Sequence, residues 1–171
     1  MKYVSTEDCY KFVFPYIYSQ LSGSEPTAQY EQEPEGLNEL AKVLQLVEND
    51  SYYPSFEGKA AYLLCSIAGS QYFTNGNKRL GIIVLMLFLI FNEVELLVLT
   101  VKEYRELLKD LFPLHIWENN SNIGEGEPLF LYNLAILIGD RNQWGEGMSF
   151  DTLKEKVANL FSILYRLQAN S

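Results

Sequence analysis

One short run of polar residues stands between two strongly apolar segments, and its residue types could bind an anion. The run reads Thr74-Asn75-Gly76-Asn77-Lys78-Arg79 and leads directly into the apolar segment 79–91. The first amides of a helix have no partner within the helix and lie at the positive end of its dipole. A glycine there lets the backbone approach a ligand closely, and two cationic side chains add charge. The pattern therefore predicts a phosphate-binding loop at the start of a helix.

The same residues also fit a loop without a ligand. In that interpretation an asparagine caps the helix, Gly76 supplies a positive φ, and Lys78 and Arg79 are solvated cations. Short glycine-containing motifs often match by chance. The spacing alone leaves both interpretations open.

The elements that must position the run are predicted to be helices. Residues 56–70 place apolar side chains at the spacing of one helix face. Residues 79–91 are apolar on nearly all sides, which predicts a central helix surrounded by others. Further helices are predicted over 6–21, 37–48, 100–112, 129–139 and 149–167, with a short extended piece at 94–99. The predicted fold class is all-α, a single-domain helical bundle over residues 1–171.

Local signals refine two of these elements. Thr100 and Glu103 have the spacing of a capping box. Ser5 or Thr6 is the predicted cap of the first helix. The inward face of that helix is predicted to consist of Phe12, Val13, Tyr16 and Ile17. The acidic stretch 22–36 is predicted to be a loop with a solvated face.

The order of residues in the loop resembles the signature of the Fic/Doc family, His-x-Phe-x-Asp/Glu-Gly/Ala-Asn-Gly/Lys-Arg. Lys78 resembles the lysine at this position in the Doc-like variant of the signature. The resemblance is strongest over residues 36–140. The positions that match are Phe73, Gly76, Asn77, Lys78 and Arg79. The resemblance implies a Fic/Doc-like fold and the transfer of AMP or phosphate from ATP or a related nucleotide, with Mg²⁺, to a protein hydroxyl.

The resemblance also implies a role for each matching residue. The backbone around Gly76 and the side chain of Asn77 would hold nucleotide phosphates. Lys78 and Arg79 would neutralise phosphate charge during transfer. Phe73 would pack inward and fix the loop.

A second segment falls where the family has a flap that aligns the target protein. It consists of Tyr52, Tyr53 and Pro54. The flap would recruit the target by strand addition, a known mode of peptide recognition. A plain surface turn is the alternative, because turn residues surround the two tyrosines.

Two positions depart from the family signature. Gln71 replaces the histidine that acts as general base, and a neutral carboxamide cannot accept the proton. Asn75 replaces the acidic Mg²⁺ ligand and brings no negative charge. The only histidine, His115, lies in a different loop beyond the next helix. These losses favour a catalytically impaired member, although a changed reaction stays open.

The residues 121–126 match the family's autoinhibitory string, Ser/Thr-x-x-x-Glu-Gly/Asn. In the family the glutamate pairs with a second arginine, three residues after the first. Ile82 occupies that position here, so Glu125 would lack its partner.

Composition excludes several classes of function. The net charge of −9 argues against nucleic-acid or anionic-membrane binding. The most apolar stretch is too short for a membrane span, and the N-terminus shows no secretory signal. The two cysteines, Cys9 and Cys65, are predicted to be buried free thiols, which suits the cytoplasm.

Three functions stay open from the sequence. The first is a nucleotide- or phosphate-binding module that does not turn its ligand over. The second is an active AMP- or phosphotransferase that uses another base. The third is an all-α protein that binds a partner, such as an antitoxin-like protein, while the loop is vestigial.

Overall fold

Helices make up most of the chain, as the all-α prediction requires, so that prediction is confirmed. The computed structural model describes residues 1–21, 28–121, 123–141 and 148–167. The helices are α1 (Thr6–Asp8), α2 (Phe14–Gln20), α3 (Pro34–Leu46), α4 (Phe56–Ala68), α5 (Asn77–Phe91), α6 (Val101–Leu111), α7 (Glu127–Gly139) and α8 (Phe150–Leu164). Strands β1 (Val94–Leu96) and β2 (Tyr165–Leu167) form a small antiparallel pair, with Glu95 opposite Arg166.

The centre of the bundle is α4 rather than α5. All residues from 59 to 68 are buried, and α3, α5, α7 and α8 pack around this helix. In α5, Ile82 and Met86 are only half-buried and Ile90 is 66% exposed. The predicted central position of α5 is therefore wrong. The small residues Ala68 of α4 and Gly81 of α5 allow these two helices to approach closely. Apolar composition alone does not reveal how many neighbours a helix has.

The first predicted helix contains a π-helical turn, which changes its buried face. Cys9–Val13 form this turn between α1 and α2, and the Phe14 amide donates to the Cys9 carbonyl five residues earlier. Pro15 follows directly and has no amide hydrogen for a regular helical bond. Phe12 and Tyr16 are consequently 46% exposed instead of buried. The buried residues are Cys9, Val13, Phe14 and Ile17.

The end of the last helix also differs from the prediction. Helix α8 stops at Leu164, and the next three residues pair with β1 instead of continuing the helix. The strand forms because its partner, about seventy residues earlier in the chain, lies beside it in the fold. A local helical pattern contains no information about that partner.

Several local predictions are confirmed. The Thr100 hydroxyl accepts from the Glu103 amide at 3.3 Å, and the Glu103 carboxylate accepts from the Thr100 amide at 2.8 Å. Cys9 and Cys65 are both free and buried. None of the helices within the described ranges has the length and apolar character that crossing a membrane requires.

Candidate functional site

The polar run begins as a loop, and Gly76 is the last residue before α5 starts at Asn77. Gly76 has φ of 77° and ψ of 9°, the left-handed conformation that favours glycine, and precedes Asn77 at the helix start. Its carbonyl accepts the first helical hydrogen bond from the Leu80 amide at 2.9 Å. Gly76 has no side chain, so the residue that precedes the helix does not cap its first amides. The first amides of α5 thus retain their capacity to bind an anion.

Asn77 closes the loop from within. Its side-chain oxygen accepts from the Phe73 amide at 3.1 Å, and its side-chain nitrogen donates to the Phe73 carbonyl at 2.9 Å. The side chain is buried. Asn77 therefore satisfies both backbone groups of Phe73, and any phosphate above it would be contacted mainly by backbone amides.

Tyr30 fills the space next to Gly76. The Tyr30 hydroxyl donates to the Gly76 carbonyl at 2.9 Å, and its ring packs edge-on against Phe73 with centroids 5.0 Å apart. A Cβ atom at Gly76 would lie 2.5 Å from the Tyr30 hydroxyl. The glycine is thus required by its backbone angle and by the protein's own tyrosine, whereas the sequence suggested close approach of a ligand.

The acidic stretch before α3 contacts the loop directly. The Glu33 carboxylate accepts from the Thr74 amide at 2.8 Å, and the Tyr18 hydroxyl donates to Glu31. The predicted solvated face is therefore wrong for Tyr30, which is buried, and for Glu33, which is half-buried, whereas Glu31 and Gln32 are exposed. Residues 22–27 lie outside the described part of the chain. Tyr30 and Glu33 were missed from the sequence. The available signal was that Tyr30 is the one aromatic residue in the acidic stretch 22–36.

The two cations of the motif extend in different directions. Lys78 lies along Gly139 and reaches Asp140 at the end of α7, with 3.9 Å between its ammonium and the carboxylate. The Arg79 guanidinium donates to the Leu21 carbonyl, beyond α2, at 2.7 Å. Within the described residues, the two charged groups therefore contact different partners. Because the Lys78 pair is long and nearly half-exposed, releasing it would cost at most about 1 kcal/mol.

Gln71 lines a polar cavity beside the loop. The cavity has a volume of about 590 Å³ and is lined by Glu35, Asn38, Glu39, Lys42, Gln71 and Tyr72. Gln71 itself is exposed. Its carboxamide can hold a hydroxyl group in place but cannot take its proton. The ionisable bases of this cavity are the two glutamates, and Glu39 is paired with Lys42.

The candidate metal ligand in the loop is Asn75. Its side-chain oxygen is buried and has no hydrogen-bond partner among the described residues. Over the same residues there is no group of three or more histidine, cysteine or acidic side chains that could hold a metal. One neutral oxygen does not fit Mg²⁺, which is bound through carboxylates and substrate phosphates.

The predicted flap is a turn in this structure. The amides of Tyr52 and Tyr53 both donate to the Asn49 carbonyl, at 3.2 and 3.1 Å. The Tyr53 ring stacks on Tyr62 with centroids 4.2 Å apart, and Pro54 is exposed. Strand addition requires an extended edge with free amides. Target alignment by these residues stays a prediction, and it would require the turn to open.

A buried lysine holds the segment that precedes this turn. Lys59 is fully buried in α4. Its ammonium donates to the Val47 carbonyl at 2.6 Å and pairs with Asp50 at 2.9 Å. The turn is thereby anchored to the central helix, which also leads into the motif loop.

The string at 121–126 makes no inhibitory contact in the described residues. Glu125 is exposed and forms no ion pair within the part of the chain that the structure describes. Ile82, at the position of the missing arginine, is half-buried in α5. Asn122 lies outside the described residues.

His115 lies against α7. Its Nε2 atom is 3.2 Å from the Asn133 side-chain oxygen, which also accepts from the Glu118 amide at 2.8 Å. It does not line the cavity that contains Gln71. The structure therefore shows no replacement of the missing base by this histidine.

A pH dependence of stability follows from the position of His115. Burial lowers the pKa of His115 from its ordinary value of 6.5, against smaller opposing effects of Asn133 and Glu118. In the window from this lowered pKa up to about 6.5, the unfolded chain binds more protons than the folded chain. The free energy of unfolding should therefore rise with pH through that window. Urea unfolding between pH 5 and pH 8 would measure the slope.

The matching variant is His115→Gln, which cannot be protonated in this range. Its slope should be smaller than that of the wild-type protein. Parallel curves for the two proteins would contradict the assigned role of His115.

Comparison with known protein families finds a match that includes the loop. The Fic/DOC family model matches residues 16–89, a range that runs from α2 through the motif loop to near the end of α5. Over these residues, the chain is similar to the Fic/DOC family. The Fic/DOC match starts earlier than the resemblance at 36–140 and includes Tyr30 and Glu33. No curated protein and no solved structure matches the chain.

Proposed function

We propose that this Fic/DOC-like protein binds ATP, a related nucleotide or another phosphate-bearing ligand without transferring its groups at a rate typical of a protein with the motif histidine. The observation that carries the proposal is the start of α5, where the left-handed Gly76 provides no capping side chain. Aligned backbone amides at a helix N-terminus bind phosphate through hydrogen bonds and the helix dipole. The match of residues 16–89, which include this loop, to the Fic/DOC family model supports the same interpretation.

The nearby cations support binding only after one of them moves. Lys78 can leave its long contact with Asp140 at small cost, and a phosphate offers it a stronger, doubly charged partner. Arg79 is bonded to the Leu21 carbonyl at 2.7 Å and is better placed to brace the loop. We therefore assign the first contact with phosphate to the amides and to Lys78.

The loss of transfer activity follows from Gln71. A neutral carboxamide cannot act as general base, and the absence of such a base lowers the rate by about 10²–10⁴-fold. Any Mg²⁺ would arrive with the nucleotide and be held by its phosphates, because Asn75 contributes no charge.

Calorimetric titration of the folded protein with ATP, ADP and inorganic phosphate tests the proposal. We expect binding that weakens as salt is added, and a loss of about tenfold in affinity for Lys78→Ala, because a hydrogen bond to a charged group is removed. The matched control is Lys102→Ala. Lys102 also lies 3.9 Å from its acidic partner, Glu106, but on α6. Absence of heat at millimolar nucleotide would refute nucleotide binding.

One observation supports the alternative function, an all-α protein that binds a partner while the loop is vestigial. Both motif cations contact groups of the chain itself, Asp140 and Leu21, as they would in a vestigial loop. A protein target or an antitoxin-like partner would then be the ligand, in the cytoplasm. Lys78→Glu should leave capture of such a partner intact, whereas it should abolish binding of phosphate.

A further inference from the structure

We propose that Tyr30 is a positioning residue for the anion-binding amides at the start of α5. This inference rests on the proposed function for its ligand. Tyr30 lies forty-six residues before Gly76 in sequence, and it belongs to neither the loop motif nor the flap. Its assignment depends on three features of the structure.

The first feature is the hydrogen bonding of the Gly76 carbonyl. It accepts from the Tyr30 hydroxyl at 2.9 Å and from the Leu80 amide at 2.9 Å. A carbonyl oxygen has two lone pairs, so both are used. The peptide group between Gly76 and Asn77 is thus held by one donor from the helix and one from outside it.

The second feature is the direction that this imposes on the next amide. In a trans peptide the carbonyl and the following amide hydrogen point in opposite directions. The Gly76 carbonyl faces Leu80 and Tyr30 inside the protein. The Asn77 amide hydrogen therefore points away from the helix body, toward the place where an anion would bind.

The third feature is that Tyr30 is itself fixed. It is fully buried, and its ring stacks on Phe14 and Tyr18 with centroid distances of 4.9 and 5.9 Å. The Tyr18 hydroxyl accepts from the Tyr30 amide at 3.0 Å. Burial raises the pKa of Tyr30 to about 12, and Arg79 opposes this only in part. The hydroxyl therefore stays a donor at physiological pH.

The decisive variant is Tyr30→Phe, because it keeps the ring stacking and removes only the donor. The Leu80 amide shares the Gly76 carbonyl with Tyr30, so its hydrogen exchange reports on this peptide group. In the free protein we expect that exchange to accelerate by roughly fivefold, the equivalent of one ordinary hydrogen bond. We expect the affinity for ATP or inorganic phosphate to fall by a similar factor.

The matched control is Tyr104→Phe. Tyr104 is also fully buried, and its hydroxyl donates to the Leu97 carbonyl at 2.9 Å, far along the chain from the loop. Both variants lose a buried hydroxyl and one hydrogen bond to a backbone carbonyl. Only Tyr30→Phe should change exchange at Leu80 and affinity for the anion.

The outcomes separate this inference from the proposed function. Unchanged Leu80 exchange in Tyr30→Phe would overturn the positioning role, as would equal effects in both variants. Faster exchange with unchanged affinity would also overturn it. If the wild-type protein binds neither ATP nor phosphate, the proposed function fails, while faster exchange in Tyr30→Phe alone would still show that Tyr30 orients this peptide group.

Discussion

Gln71→His is expected to raise nucleotide-dependent labelling of a protein target by about 10²–10⁴-fold. An imidazole with a pKa near neutrality can accept the proton of a target hydroxyl, which the carboxamide cannot do. Position 71 is exposed and lines a cavity of about 590 Å³, so the new side chain can be accommodated without disturbing the core. The measurement is transfer of label from α- or γ-labelled ATP to proteins of a cell lysate.

Two controls make this experiment specific. Gln71→Asn keeps a neutral carboxamide and should stay as inactive as the wild-type protein. Lys78→Ala combined with Gln71→His should lower labelling if the lysine contacts phosphate. Equal labelling by the wild-type protein and Gln71→His would contradict the assigned loss of the base.

If the wild-type protein and Gln71→His give equal labelling, a carboxylate of the same cavity would be the alternative base. Glu35 and Glu39 are its ionisable bases, and Glu39 is paired with Lys42. Glu35→Gln should then remove the wild-type labelling. If the wild-type protein gives no labelling, Glu35→Gln should give none either.

Asn77→Ala is expected to lower the free energy of unfolding by about 2–6 kcal/mol. The Asn77 side chain pairs with the amide and the carbonyl of Phe73, and all these groups are buried. Alanine would leave both backbone groups without a partner away from water, and each such group costs about 1–3 kcal/mol. Urea unfolding measures the loss.

The chain contains a matched control for this prediction. Asn92 pairs in the same way with the amide and the carbonyl of Lys2, both at 2.8 Å, but at the surface, where Lys2 is exposed and Asn92 is half-buried. Water can replace the lost partner there, so Asn92→Ala should cost about 1 kcal/mol or less. A similar loss in both variants would show that burial is not the cause.

Patterns that depend on near neighbours could be recognised from the amino-acid sequence. The capping box of Thr100 and Glu103 and the helix that begins beside Gly76 are of this kind. Their hydrogen bonds join residues three or four positions apart, and such contacts follow from backbone geometry. The family resemblance is local in the same sense, because it rests on the order of residues within one loop.

The contacts that shape the loop depend on residues distant in sequence. Tyr30, Glu33 and Leu21 reach the loop from forty or more residues away, and Asp140 reaches it from the opposite direction. Only chain folding brings these groups together, so the sequence could not show that Lys78 and Arg79 diverge.

The amino-acid sequence by itself determined the helical class, the loop with its glycine and the presence of Gln71 in place of the motif histidine. Tertiary structure decided that α4 is central, that Tyr30 occupies the space beside Gly76 and that Gln71 lines a polar cavity. The physical reason is the separation in sequence between the residues that interact. Helix periodicity and caps arise from neighbouring residues, whereas burial and the orientation of a side chain depend on which distant helices pack beside it.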